Sequence, residues 1–595
     1  MRKHYQIDAT LTLQGPILTK GGQTVGPGID APVARDAQGR VYLPYSLVKG
    51  KVREALADLG CAEMADWLGK GSDDGDGLFG PHRGRLRFAD FVTDQTGRSG
   101  PAPGVIRRIE IDQGTGSASR AMLAMIEAPF GYGEEVAFRG RIEVIAEEGE
   151  GEEVRRRLDQ ALAWVPSYGA HRSVGFGRTL KVETQLVEQR PSAVGSPREG
   201  PVLPVRWRLD RPFCVVGRKH AGNHFQSLGS IPGAVLKGAI ARLILECDGS
   251  SDRFVDSART SAHFPSLCRH FEKVRFTEAR PMREGATARP VEPPLSVVTS
   301  PLGREPWYDV ALLEGPCLIA GAAPAFAPDW KGSDETAIRA AFGWPSLPRE
   351  RRTRTAIDGD RGRARDEQLF SYSLVLPSQR VGDVEQSFVW ESVIGLEQLP
   401  ETERAVVRDE LRDLLAHGLP NIGKTRAVGH VEWRAATTPP AVGTCPPGPD
   451  LCVATLQTEC LMTDPTTLQS EGLSTAYEAF WSEVSGGSLE LVRSFARQEL
   501  HGGFLARRSL QQRYEPFLVT ERGSVFVLRV LNPAEAGKRL AAWTELGLPR
   551  PGWVATRYGQ PSLPLWRTCP FLAEVGFGEV MFDLDCHLRK KPNPE

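Results

Sequence analysis

Residues 43–50, Leu43-Pro44-Tyr45-Ser46-Leu47-Val48-Lys49-Gly50, lead into KVREALADL, a stretch with helical spacing of its apolar residues. Residues 231–238, Ile231-Pro232-Gly233-Ala234-Val235-Leu236-Lys237-Gly238, lead in the same way into AIARLILEC. The shared core is Leu/Ile-Pro, two variable residues, two aliphatics and Lys-Gly, placed just before a helix. Both copies are preceded by a strand pattern that alternates polar and apolar residues, YQIDATLTLQGPIL at 5–18 and LPVRWRLDRPFCVV at 203–216. Downstream, Arg108-Ile109-Glu110-Ile111-Asp112 precedes GTGSASR and then AMLAMIEAPF. Arg354-Thr355-Ala356-Ile357-Asp358 precedes GDRGRARDEQ and then LFSYSLVLP. Each copy closes on a glycine turn before a strand, Gly175-Phe176-Gly177-Arg178 in the first and Ile422-Gly423-Lys424 through Gly429 in the second. Strand, helix start, Arg-x-x-Ile-Asp and glycine turn recur in one order, which identifies an internal repeat of an α+β unit.

These parts suit a phosphate backbone. A helix opened by Pro and Gly leaves N–H groups unpaired and presents a positive dipole end. Lys49 and Lys237 stand there as point charges. The glycine turns, with Arg178 in one copy and Lys424 and Arg426 in the other, permit close approach to another backbone. For any single such motif, plain helix capping beside a surface lysine is the commoner explanation; the recurrence of the set favours a shared ligand.

At 595 residues the chain exceeds what one hydrophobic core supports, so about two to four domains are expected. The Pro-rich stretch around 190–204 and PPAVGTCPPGPD at 439–450 read as joints, giving units at 1–190, 200–440 and 450–595. With 73 basic against 74 acidic residues the net charge is −1, so any nucleic-acid site must come from local clustering. Arginines do cluster, at 83, 85 and 87, at 107 and 108, and between 351 and 365, although a solvated face is the ordinary fate of one such cluster. The ten cysteines form no CxxC pair, and Cys445, Cys452 and Cys460 lack zinc-site spacing, so reduced and mostly buried thiols are expected. No apolar leader and no membrane-length run is present, which predicts a cytoplasmic protein without a membrane partner. A metabolic enzyme finds little support, since the sequence shows no phosphate-loop lysine motif, dinucleotide fingerprint or Ser-His-Asp signature.

Residues 1–190 resemble the repeat-associated RAMP proteins of CRISPR systems, specifically the backbone (Cas-seven-like) subunits of type III effector complexes. The matching segments are GIDAPVARD at 28–36, LPYSLVKGKVRE at 43–54, Leu78-Phe79-Gly80 leading to RGRLRFADF, RRIEIDQGTG at 107–116, and the glycine turn ending at Arg178. One departure is Pro44-Tyr45-Ser46, where the family usually has Pro-Gly-Ser. Residues 200–440 resemble the same superfamily less closely, with GNHFQSLGSIPGAVLKGAIA similar to type III-D subunits. Residues 450–595 carry weaker echoes, either as a third RAMP-like module or as the second half of the preceding domain.

The resemblance implies tandem modules, each with a ferredoxin-like (RRM-like) βαββαβ core and thumb-like insertions. It implies a subunit of a type III ribonucleoprotein that binds guide RNA, takes a single-stranded target RNA and cleaves it once paired with the guide, with other RAMP subunits and the large and small subunits as partners. In backbone subunits of this family an aspartate in the loop before the helix is required for cleavage. The corresponding residue here is Asp30, with Mg²⁺ or Mn²⁺ loosely held at it, and Asp36 is the alternative carboxylate, though its place before Gln38-Gly39 favours a turn role. Lys20, Lys49, Lys51, Arg53, Arg108, Arg178, Lys237, Lys424 and Arg426 are the candidate RNA contacts. The second copy has no Asp or Glu between Pro212 and Pro232 and offers His220, Asn223 and His224 instead, suited to phosphate or base contact or to metal-free guide processing. A non-catalytic backbone or capping subunit is the remaining alternative.

Overall fold

The computed structural model describes residues 2–20, 28–36, 38–69, 84–95, 104–112, 114–219, 223–250, 252, 254–255, 261–315, 317–357, 364–466, 468–502 and 515–592. The strand Lys3–Gln14 alternates buried and half-buried side chains, with Ile7, Leu11 and Leu13 fully covered. It forms the centre of the first sheet. On one side it pairs antiparallel with Glu135–Ala146, from Lys3 opposite Ala146 to Gln14 opposite Glu135. On the other it pairs antiparallel with Arg178–Glu188. The short strands Arg87–Phe88 and Phe91–Val92 add to the far edge of Glu135–Ala146. The helices Tyr45–Asp58 and Glu150–Trp164 bury Val48, Val52, Ala55 and Leu56, and Val154, Leu158, Ala161 and Leu162, at the spacing of one helical face. The order is βαββαβ, with the first strand between the third and the fourth.

The same plan is repeated. In the second sheet Val202–Leu209 lies antiparallel between Val384–Gly395 and Ala427–Trp433, with Arg275–Phe276 and Arg280–Arg283 beyond, and with helices Gly233–Cys247 and Glu401–Leu414. In the third, Leu451–Leu456 lies between Val525–Val530 and Val580–Phe582, with Leu489–Phe495 beyond, and with helices Leu468–Ser485 and Pro533–Leu546. Residues 451–582 thus carry a complete βαββαβ set of their own. Each core also places a hairpin between its second and third strands. These are Val105–Ile111 with Ala118–Glu127, Arg349–Ile357 with Ala364–Val375, and Gln498–His501 with Phe517–Thr520. The second core holds a further insertion, whose Val291, Trp307 and Phe342 pack with Leu584 and Cys586 near the other end of the chain.

Arginines join the modules, and two of them, Arg87 and Arg280, are buried. Arg87, 4 % exposed, contacts Glu246 of the second core at 3.0 Å and Glu143 of its own at 3.6 Å. Arg141 meets Asp210 at 3.0 Å, and Arg211 donates to the Phe88 carbonyl at 2.7 Å. Between the second and third cores Arg280 donates to Gln457, Arg522 bridges Glu278 and Glu459, and Arg289 meets Glu579 at 3.0 Å. Burial works upward on the Glu579 carboxyl, but Arg289 and Arg280 outweigh it and hold the group at about 2. None of the ten cysteines is in a disulfide, and seven of them are buried. Among the described residues no helix is long and apolar enough to cross a membrane.

Candidate nucleic-acid interface

Asp30 stands at an exposed position on the segment that runs beside the first module's hairpin. Its backbone amide donates to the Met125 carbonyl at 2.9 Å, and its Oδ2 accepts the Met125 amide at 2.7 Å. The chain then runs parallel to the hairpin strand, Ala31 beside Ile126. One bond from the backbone and one to the carboxyl therefore fix Asp30 against a regular strand while leaving it at the surface. Glu127, two residues on, faces inward: its carboxylate accepts the Val33 amide at 2.8 Å and meets Arg35 at 2.6 Å. Asp36 is spent on its own turn, accepting the Gln38 and Arg40 amides through Oδ1 and pairing with Arg40 Nε at 2.8 Å. Asp30 does not belong to a three-ligand metal cluster among the described residues, so a divalent ion at this surface carboxylate would be held chiefly through water.

The first helix start is not open to an anion at its first amide. Tyr45 N–H donates to Asp90 Oδ1 at 2.7 Å, and Arg352 from the second module's hairpin holds Asp90 Oδ2 at 3.1 Å. One turn along, Lys49 is largely covered. Burial, then the guanidinium groups of Arg426 and Arg53, hold its ammonium down at about 7. Both charges acting on it are positive, so the site would gain from an added anion. Arg53 donates to the Leu68 and Gly69 carbonyls at 2.8 Å each, and Lys51 pairs with Glu54. Arg426 reaches across the joint from the second module's glycine turn to the Gly84 carbonyl at 2.6 Å and the Leu86 carbonyl at 3.2 Å. The three cations thus meet at the seam of two modules, and Arg426 arrives there from more than 370 positions away in sequence.

Lys237, at the matching place in the second helix, behaves differently. Its ammonium donates to the Glu272 and Val274 carbonyls at 2.9 and 2.8 Å and lies over the rings of Phe271 and Phe276. Burial lowers it to about 8. The helix start beside it is closed, because Gly233 sits against the carbonyls of Phe276 and Val575. Lys237, a candidate RNA contact in the sequence, thus faces the interior. Asn223 accepts the Ser371 amide through its backbone carbonyl, and His224 opens the strand His224–Ser227, which runs parallel to the second hairpin's Ala364–Val375. His220 lies outside the described residues.

Lys20, Arg108, Arg178 and Lys424 are exposed. Lys424 Nζ stands 4.4 Å from the centre of the Phe225 ring. Phe225 stacks on Tyr372 at 5.2 Å, and Arg354 lies 5.4 Å from Tyr372 and 4.7 Å from Tyr45 of the first module. This cation–aromatic row was not legible in the sequence, since its members come from four separated segments. Arg108 Nη1 lies 2.8 Å from His171 Nδ1, and burial, then Arg108 and Lys20, lower the imidazole's pKa. His171 was likewise not singled out; its only sequence signal is its place just before the first glycine turn.

Residues 10–181 match the RAMP superfamily. The family match is confined to the first module. This RAMP match runs from within the strand Lys3–Gln14 to within Arg178–Glu188 and takes in the helices Tyr45–Asp58 and Glu150–Trp164 and the Asp30 segment. No curated protein matches the chain. Among solved structures, similarity is found to a chain of the Type III-B Cmr-beta complex bound to cognate target RNA, 20 % identical with a TM-score of 0.23, over 31 % of this chain and 61 % of that one. A second similar chain comes from Type III-B Cmr-beta bound to cognate target RNA and AMPPnP, 9 % identical with a TM-score of 0.29, over 55 % of this chain and 86 % of that one. This chain thus spans 61 % of the length of the first of these.

Proposed function

We propose that this RAMP-containing chain is a subunit of a type III CRISPR ribonucleoprotein that binds guide RNA and cleaves the paired target strand at Asp30. The observation that carries the binding half is the seam cluster of Lys49, Arg53 and Arg426, where the charges acting on a covered ammonium are both positive. Such a cluster suits the phosphate of an RNA backbone, whose shape is read by protein while base pairing supplies sequence. The motifs around Asp30, Lys49 and Arg178 supply the type III assignment, by their resemblance to backbone subunits.

For cleavage, the target's 2′-oxygen attacks the adjacent phosphorus as the bond from phosphorus to the 5′-oxygen breaks. The 2′-hydroxyl loses its proton and the departing oxygen gains one, leaving a 2′,3′-cyclic phosphate and a 5′-hydroxyl. A nucleotide displaced from the duplex can reach the in-line angle that regular A-form geometry denies. Asp30, fixed by Met125 yet exposed, would orient the 2′-hydroxyl. A loosely held Mg²⁺ or Mn²⁺ at the same carboxylate would supply charge neutralisation when bound. In the complex reconstituted with its partner subunits, Asp30→Ala is expected to slow one cut by at least about a hundredfold while guide and target binding stay within about twofold. Cuts that all survive this change would make the chain a non-catalytic backbone subunit.

A further inference from the structure

We infer that Lys20, Arg108 and His171 form a phosphate-binding subsite beside Asp30, in which His171 acts as a neutral hydrogen-bond donor. This inference rests on the reading of the chain as an RNA-binding protein.

His171 is one of few non-glycine residues in the left-handed region, at φ 55°. Such a conformation persists only where its surroundings fix it. Here the ring is held edge-on to Phe176, with centres 5.7 Å apart at 72°, and by Arg108 at 2.8 Å. A guanidinium only donates, so Nδ1 of His171 accepts and the ring proton resides on Nε2. Burial, then the positive charges of Arg108 and Lys20, lower the imidazole's pKa, which favours that neutral form. The imidazole is thus a fixed N–H donor flanked by two exposed cations.

The backbone brings this group to Asp30. Lys20 bridges to Val33, three residues after Asp30 on the same segment. Arg108 lies opposite Ala124 across the hairpin, and the neighbouring Met125 is the residue that binds Asp30. Asp30 and Lys20 on one segment, and Arg108 with the His171 it holds, are therefore brought to the same hairpin. An anion with several oxygens answers the donors, and a phosphodiester beside a carboxylate able to orient its 2′-hydroxyl is such an anion.

The test is affinity of the full-length Asp30→Ala chain for a short single-stranded RNA, by fluorescence anisotropy across a salt series. Cleavage is silent in this background, so binding alone is read. Arg108→Ala is expected to weaken binding about tenfold at low salt and to flatten the slope of log K against log salt by about 0.7. His171→Ala is expected to weaken binding about threefold to fivefold. His171→Gln, which offers an oxygen to Arg108 and an N–H outward, is expected to bind within about twofold of the parent. Arg108→Ala and His171→Ala chains that bind like the parent would overturn the subsite. His171→Gln binding as poorly as His171→Ala would overturn the neutral-donor role. A parent chain that fails to bind RNA at all would sink the broader RNA-binding reading as well.

Discussion

Glu246→Ala is expected to destabilise the chain by about 3–5 kcal/mol, because it strips a buried arginine of its main partner. Glu246 is 6 % exposed and receives Arg87 from the first module at 3.0 Å, Arg242 at 2.9 Å and Asn421 at 3.3 Å. Without it, Arg87 keeps among the described residues only Glu143 at 3.6 Å, in a place where water cannot replace the lost charge. The pair itself contributes less than its loss costs, since both groups had to leave water. Arg87→Met combined with Glu246→Leu should therefore recover much of the loss. Chemical unfolding of the single and double variants measures this coupling. A loss below about 1 kcal/mol for Glu246→Ala would show that the joint is not held this way.

Gly233→Ala is the second large effect, and its sign runs against helix propensity. Alanine for glycine within a helix ordinarily stabilises by up to about 1 kcal/mol. At Gly233 the added Cβ would lie 1.9 Å from the Phe276 carbonyl oxygen and 2.6 Å from that of Val575. Both obstacles are backbone, one from each of two modules, so the change has to prise the second and third cores apart. A cost of about 1–3 kcal/mol or more is expected, with faster proteolysis in the 439–450 segment. Gly238→Ala in the same helix is the control, because its Cβ would meet nothing within 4 Å. A thermal melt should rise for Gly238→Ala and fall for Gly233→Ala. Equal shifts would mean that the close approach at Gly233 is relieved at no cost.

The repeat was legible because each of its parts is local: an alternating strand, a Pro-marked helix start, a glycine turn. Two of the three cores followed from it. The third was only an echo, since its last strand, Val580–Phe582, is three residues long and too short to show alternation. What stayed hidden is everything that depends on which segments meet. Lys49 and Lys237 have nearly the same neighbours in sequence and opposite surroundings in space. The first faces two guanidinium groups at a seam; the second is sealed under phenylalanines and tied to carbonyls. Charged clusters misled for the same reason. Arg87 and Arg352 read as surface charge, yet they pair with Glu246 and Asp90 inside the first joint. The carboxylates were easier, because Asp36 carries its partners Gln38 and Arg40 within four residues while Asp30 has none nearby in sequence.

RNA affinity against pH, for the full-length chain and for Lys49→Met, is the most direct test of the claim that RNA lies along the module seam. In the free protein the ammonium sits at about 7, held there by burial and by Arg426 and Arg53. A bound phosphate would raise that value, so binding takes up a proton once the pH exceeds it. Affinity of the wild-type chain is therefore expected to be highest below about pH 7 and to fall by up to about tenfold per unit as the pH rises to about 8.5. Lys49→Met should bind more weakly at low pH and lose this dependence. Identical pH profiles for the two chains would contradict a phosphate at Lys49 and, with it, the proposed path of the RNA.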